Sequence, residues 1–102
     1  MTRRFILRPR AERDIQSTFE WYESQRSGLG DEFLTSLREK LEMVRNFPEA
    51  FPVLYRNVRR AVVSRFPYVV FYLVQPTRVA LLAVVHQSRN PANWPRRPRR
   101  AR

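Results

Sequence analysis

Apolar positions along the chain keep one spacing for the first half and another for the second. Inside RRFILR (3–8), three apolar residues, Phe5, Ile6 and Leu7, predict a brief first strand. Pro9 then either stops that strand or opens a helix at its first turn. From Arg10 the spacing becomes helical: Ala11, Ile15, Phe19 (or Thr18) and Tyr22 predict a helix that ends near Ser24–Ser27, before Gly28. Glu12 and Asp14 lie near its start, where negative charge suits the helix dipole. SGLG (27–30) is a tight connection. Asp31 and Glu32 open a second helix whose stripe is Phe33, Leu34, Leu37, Leu41 and Val44, and Pro48 ends it. Two helices joined so closely should pack as an antiparallel hairpin.

After the connector FPEAFP (47–52), strand patterns take over. RRAVVSRF (59–66), YVVFYLV (68–74) and VALLAVV (79–85) are rich in β-branched and aromatic residues, and QPTR (75–78) makes a hairpin between the last two. Those two runs are almost wholly apolar, so they should be central strands, covered on one side by the helices. The expected class is α+β: a short N-terminal strand and a helical hairpin packed on a mostly antiparallel sheet of about four strands. Residues 1–94 form one domain. The tail PRRPRRAR (95–102) has nothing to bury and is expected to be disordered.

Composition narrows the chemistry. With 43% hydrophobic residues the chain can bury a core, and the absence of cysteine removes disulfides, thiolate ligands and thiol nucleophiles. One histidine makes a zinc site improbable on ligand count, and no cofactor is expected. No apolar run has signal-peptide or membrane-spanning length, so a cytoplasmic protein with no membrane partner is expected. Charge is divided unevenly. All nine acidic residues lie at or before Glu49, where they balance the basic ones, so the net +11 sits wholly in the second half, carried by arginine. That asymmetry suggests a polyanionic or acidic partner.

The β half has no carboxylate, so its only group titrating near neutrality is His86. It ends the last strand in VVHQSRNPANW (84–94). His86 as base, with Arg65 and Arg89 stabilising charge and Tyr68 or Tyr72 stacking on a base, would suit RNA cleavage. A structural histidine bonded to its own loop is the competing reading. Arg56, Arg59, Arg60, Arg65, Arg78 and Arg89 could equally meet phosphate or an acidic protein. Trp94 either closes the core or grips a partner. Trp21 lies off its helix stripe, which points to exposure. Glu12, Glu20, Glu39 and Glu42 fall on solvated helix faces.

AERDIQSTFEWYE (11–23), GLGDEFLTSL (28–37), the FP pairs at 47–48 and 51–52, RFPYVVFY (65–72) and VVHQSRNPANW (84–94) together resemble the RelE/ParE superfamily of type II toxins, also called plasmid stabilization proteins. The resemblance implies a toxin neutralised by a cognate antitoxin whose extended segment wraps the helix hairpin and sheet. Operator DNA would be met only through that antitoxin. RelE-like members cut mRNA on the ribosome; ParE-like members inhibit DNA gyrase. Ribonuclease members often carry Arg directly after the first Tyr of the Tyr-x-x-x-Tyr strand, where this chain has Val69. They tend to carry lysines on the preceding strand, where it has Arg59, Arg60 and Arg65, and a late Tyr that Trp94 replaces. The expectation is therefore a ParE-like toxin that binds rather than cuts. Its target-binding candidates are Arg59, Arg60, Arg65, His86, Arg89 and Trp94, and its antitoxin-binding candidates Trp21 and Tyr22. The alternatives are a metal-independent endoribonuclease using Arg65, His86 and Arg89, and a basic nucleic-acid-binding module.

Overall fold

A computed structural model of the chain describes residues 3–89. In chain order these form β1 (Arg4–Leu7), α1 (Pro9–Gln25), α2 (Leu29–Asn46), β2 (Val53–Tyr55), β3 (Val58–Val62), β4 (Tyr68–Val74) and β5 (Arg78–His86). Short 3-10 turns occupy Pro48–Ala50 and Gln87–Arg89. The strands make one sheet in the order β1-β5-β4-β3-β2, with β1 parallel to β5 and all other neighbours antiparallel. The helical hairpin lies on one face of it.

Local chemistry sets the joints. Arg8 is extended and its N–H still donates to Leu81 O, so the strand ladder runs to the residue before Pro9. Pro9 then starts α1, where a missing N–H costs nothing. Between the helices, Gly28 takes φ 90°, and no side chain of its own caps α2. The Glu23 carboxylate does so from the other helix, accepting from Gly28 N and Gly30 N at 2.9 Å each. Gly30 is buried in the hairpin seam, and a Cβ there would stand 2.7 Å from the Phe19 ring.

The hairpin is held to the sheet by aromatic packing. Tyr22 of α1 meets Phe33 of α2 at 5.6 Å and Phe66 at 5.0 Å between ring centroids, and Tyr68 of β4 lies 5.6 Å from Phe33. Ala11, Val44, Val70, Tyr72 and Leu81 continue this core and are fully buried. At the other end, the Tyr72 hydroxyl donates to Pro48 O at 2.6 Å. Arg59 donates to Glu49 O at 3.2 Å and Phe51 O at 2.7 Å. These three bonds fasten the proline-rich connector to the sheet. Burial pushes the Tyr72 phenol up to about 12, with Arg59 opposing it. On the other face, Val69, Phe71 and Ala83 form a smaller apolar cluster with Leu54, Val58 and Val85.

The α+β arrangement and the buried central strands agree with the hydrophobic pattern. The sheet has five strands rather than about four. The extra one, β2, is three residues long and follows Pro52, too short to show any period. The run 59–66 is a strand only as far as Val62. Val63 N donates to Tyr68 O and Arg65 takes φ 72°, so residues 63–67 turn back on themselves. Helix α2 begins at Leu29, two residues before its acids, because Glu23 caps it from outside. Among the described residues no helix is long and apolar enough to cross a membrane. The tail 95–102 lies outside the described residues.

Two outcomes follow. Gly30→Ala is expected to destabilise the fold by about 1–3 kcal/mol through overpacking against Phe19, although alanine favours a helix; a raised melting temperature would refute the close approach. Because the folded state holds the Tyr72 proton above the phenol's ordinary 10.0, unfolding releases a proton between pH 10 and about 12. That contribution is fully present below pH 10 and is lost as pH rises through this window. Denaturant midpoints over this range should fall less steeply for Tyr72→Phe than for the parent chain, and parallel declines would exclude Tyr72 as a source. Burial and then Tyr68 push Tyr22 the same way, so some slope remains in the variant.

Candidate functional site

Strand β5 has nine residues and β1 only four, and their pairing ends at Leu7 with Leu81. Beyond that point the edge of β5 has no neighbouring strand among the described residues, and α1 passes beside it. An irregularity opposite Phe71 and Tyr72 adds one residue to β5, so Tyr72 pairs with Leu81 but Phe71 with Ala83. Such a bulge reverses which residues point their backbone groups to each side. Val84 now faces outward, and its N–H donates to Asp14 Oδ2 of α1 at 2.9 Å. The same carboxylate oxygen lies 3.4 Å from Arg10 Nε.

Around this contact opens a cleft of about 590 Å³. Arg10, Asp14, Ser17, Trp21 and Tyr22 of α1 form one wall; Tyr68, Val84, His86, Ser88 and Arg89 form the other. The His86 ring stands edge-on to Tyr68, with centroids 5.2 Å apart. Its Nδ1 accepts the Ser88 backbone N–H at 3.0 Å, and Ser88 Oγ lies 2.9 Å away. A backbone N–H can only donate, so Nδ1 holds a lone pair and the neutral ring carries its proton on Nε2.

His86, Arg89, Trp21 and Tyr22 thus share one cleft. Trp21 is 56% exposed, whereas Tyr22 is buried beneath it with ring centroids 5.0 Å apart. The other candidates are elsewhere. Arg65 sits in the β3–β4 turn, 3.9 Å from Glu32 of α2. Arg59 is tied to the connector carbonyls. Arg60 pairs with Phe71 and so shares the opposite face of the sheet. Trp94 lies outside the described residues. Of the two stacking candidates, Tyr68 lines the cleft and Tyr72 is fully buried, its hydroxyl bonded to Pro48, so Tyr72 offers no face to a base. Arg56 lies over the Tyr55 ring and Arg78 bonds Gln75. Glu12, Glu20, Glu39 and Glu42 are exposed.

Sequence reasoning missed Asp14 and Arg10. It treated Asp14 as a dipole charge and, among the helix carboxylates, weighed only Glu12, Glu20, Glu39 and Glu42. The available signal was position. Asp14 falls three residues after Ala11 and four before Thr18, both buried, so it lies on the border of the stripe that faces the sheet.

The sequence pattern of the family described as "ParE toxin of type II toxin-antitoxin system, parDE" matches residues 5–91. Among solved structures, the chain is similar to one from the chromosomal ParDE toxin–antitoxin system of P. aeruginosa, with TM-score 0.64 and 14% identity over 83% of this chain and 96% of that one. It is also similar to one from the E. coli DinJ-YafQ toxin–antitoxin complex, with TM-score 0.65 and 10% identity over 86% and 96%. No curated protein sequence matches.

The histidine geometry has a direct readout. Nitrogen-15 spectra of the neutral ring should show Nε2 protonated and Nδ1 bare. A predominant Nδ1–H form would break the assigned Ser88 contact.

Proposed function

The chain belongs to the ParE toxin family of type II toxin–antitoxin systems, and from that premise we propose that it inhibits DNA gyrase by protein–protein contact, without turnover, and is neutralised by a cognate antitoxin. The observation that carries the binding reading is the state of His86. A general base needs a free lone pair within reach of the proton it removes. In the neutral ring the only lone pair is on Nδ1, and it is occupied by the chain's own Ser88 N–H. Opening that contact would uncover a base only by giving up the bond that orients it. Arg65 faces Glu32 instead of this cleft, and Val69, where ribonuclease relatives often have arginine, is fully buried among apolar residues. The cleft is left with arginine and aromatic groups, the kinds of side chain that anchor protein interfaces.

An antitoxin partner is supported by both structural neighbours, each of which comes from a toxin–antitoxin system or complex. The half-exposed Trp21 over buried Tyr22 offers it an aromatic anchor, and the net charge of +11 favours an acidic segment.

The second reading is a ribosome-dependent endoribonuclease. The observation in its favour is that His86 and Arg89 line the same cleft. A paired assay separates the two: gyrase supercoiling, and primer extension on ribosome-bound mRNA, with the parent chain and His86→Ala. Inhibited supercoiling with intact mRNA is expected, and His86→Ala should retain inhibition within about tenfold, a loss of 1.4 kcal/mol or less in binding. Cleaved mRNA that disappears in a stably folded His86→Ala chain would overturn the proposal.

A further inference from the structure

We infer that the face of the sheet opposite the helices is the seat of the chain's own Trp94, carried there by residues 90–93. The inference goes beyond the proposed function, since it concerns neither the cleft nor a target.

Alternation along β4 sends Val70 and Tyr72 to the helices and Val69 and Phe71 to the other face, where no described helix lies. A sheet face left to water carries polar residues that alternate with the apolar ones beneath. This face does not. Val62 of β3, Val69 of β4 and Val85 of β5 stand side by side in register, three valines in a row across the sheet. Val69 in the middle is 0% exposed and Phe71, next along β4 on the same face, 9%, whereas Val62 at the end of the row is 42% exposed. Neighbouring side chains shield a central valine from its flanks. Complete burial needs contact on all sides, so a group must lie above Val69 as well.

The chain itself leaves the sheet beside this row. β5 stops at His86, one residue beyond Val85, and Gln87 N donates to Pro67 O, so the path crosses the start of β4. Residues 90–102 lie outside the described residues. Trp94 is the one large apolar residue among them, and only proline, arginine and alanine follow it. The stretch from Arg89 to Trp94 spans roughly 17 Å when extended, against strand spacings of about 4.8 Å. The indole can therefore rest over Val69, against Val62. Arg60 stands beside Phe71 on the same face with no carboxylate partner among the described residues. A guanidinium meets the face of an indole favourably. A second copy of the chain is a poorer cover. The strands carry no carboxylate, so its Arg4, Arg60 and Arg78 would be set against the same arginines.

The test uses the folded full chain carrying Trp21→Phe, which leaves Trp94 as its one tryptophan. Its emission is expected to lie to the blue of the same chain in denaturant, and acrylamide should quench it several-fold less. Val62→Asp, which sets a charge beside the indole, should return emission and quenching most of the way to the denatured values while far-ultraviolet dichroism stays unchanged. Val53→Asp, at an exposed valine of β2 in register with Arg59, should leave both as they are. Trp94→Ala should lower the melting temperature by several degrees, and Trp94→Phe should recover part of that loss. Emission at the denatured position in the folded chain, protection that Val62→Asp leaves intact, or protection that fades on dilution as a dimer dissociates in sedimentation would each overturn the proposal.

Discussion

The structure depends on a mismatch in strand length. β5 is the longest strand and β4 covers one of its edges throughout, yet β1 covers only the first part of the other. Pro9 enforces that limit, because a residue without an N–H and with a fixed φ suits a helix start better than a continuing ladder. The chain leaves the sheet, and α1 runs beside the stretch that β1 does not reach. An uncovered edge inside a fold carries unpaired backbone groups. One of them is satisfied by Asp14, and that hydrogen bond adds to the packing of α1 on β5 and gives the cleft its floor. The bulge matters as much: without the extra residue in β5, Val84 N–H would point at β4 and Asp14 would have no partner there.

Around that floor the molecule divides its labour by charge. Acidic side chains are confined to the helices and connector, and the two best placed of them act within the chain: Glu23 caps α2 and Asp14 caps the edge. The arginines of the sheet half have fewer intramolecular uses. Arg59 holds the connector, and Arg65 has a distant pairing to Glu32 across a separation at which an exposed ion pair contributes little. Arg89 is left at the mouth of the cleft. A surface that neutralises its own carboxylates by internal capping while exposing guanidinium groups is suited to anionic partners, whatever their identity.

The fold was largely legible in the sequence, for reasons that particular residues make plain. Ala11, Thr18 and Tyr22 are buried at helical spacing because one face of α1 meets the sheet. The runs at 68–74 and 79–85 are nearly unbroken because β4 and β5 are covered on both sides. Period fails where elements are short or borrow their ends. β2 has three residues, and α2 receives its cap from Glu23 on another helix, a contact no local pattern encodes. The site was half legible. His86 and Arg89 announce themselves by ending the apolar run, and Trp21 by lying off its stripe. Asp14 does not, because its role arises only when a residue 70 positions away offers an N–H.

The same long-range contact explains why the polar cluster after β5 reads differently in sequence and in space. Written out, a histidine, a serine and an arginine at the end of a buried strand suggest catalysis. Folded, Ser88 turns its backbone N–H onto the histidine and closes the lone pair that catalysis would use, so the 3-10 turn Gln87–Arg89 is built on the ring. The histidine then presents Nε2–H, a donor, to its surroundings. Donors on His86 and Arg89 in one cleft are the groups on which the proposed binding reading rests. A reacting group would need an acceptor at that position, and among the described residues the one carboxylate in the cleft wall, Asp14, already holds Val84 and Arg10. The proposed binding reading thus rests on hydrogen-bond direction at His86 more than on residue type.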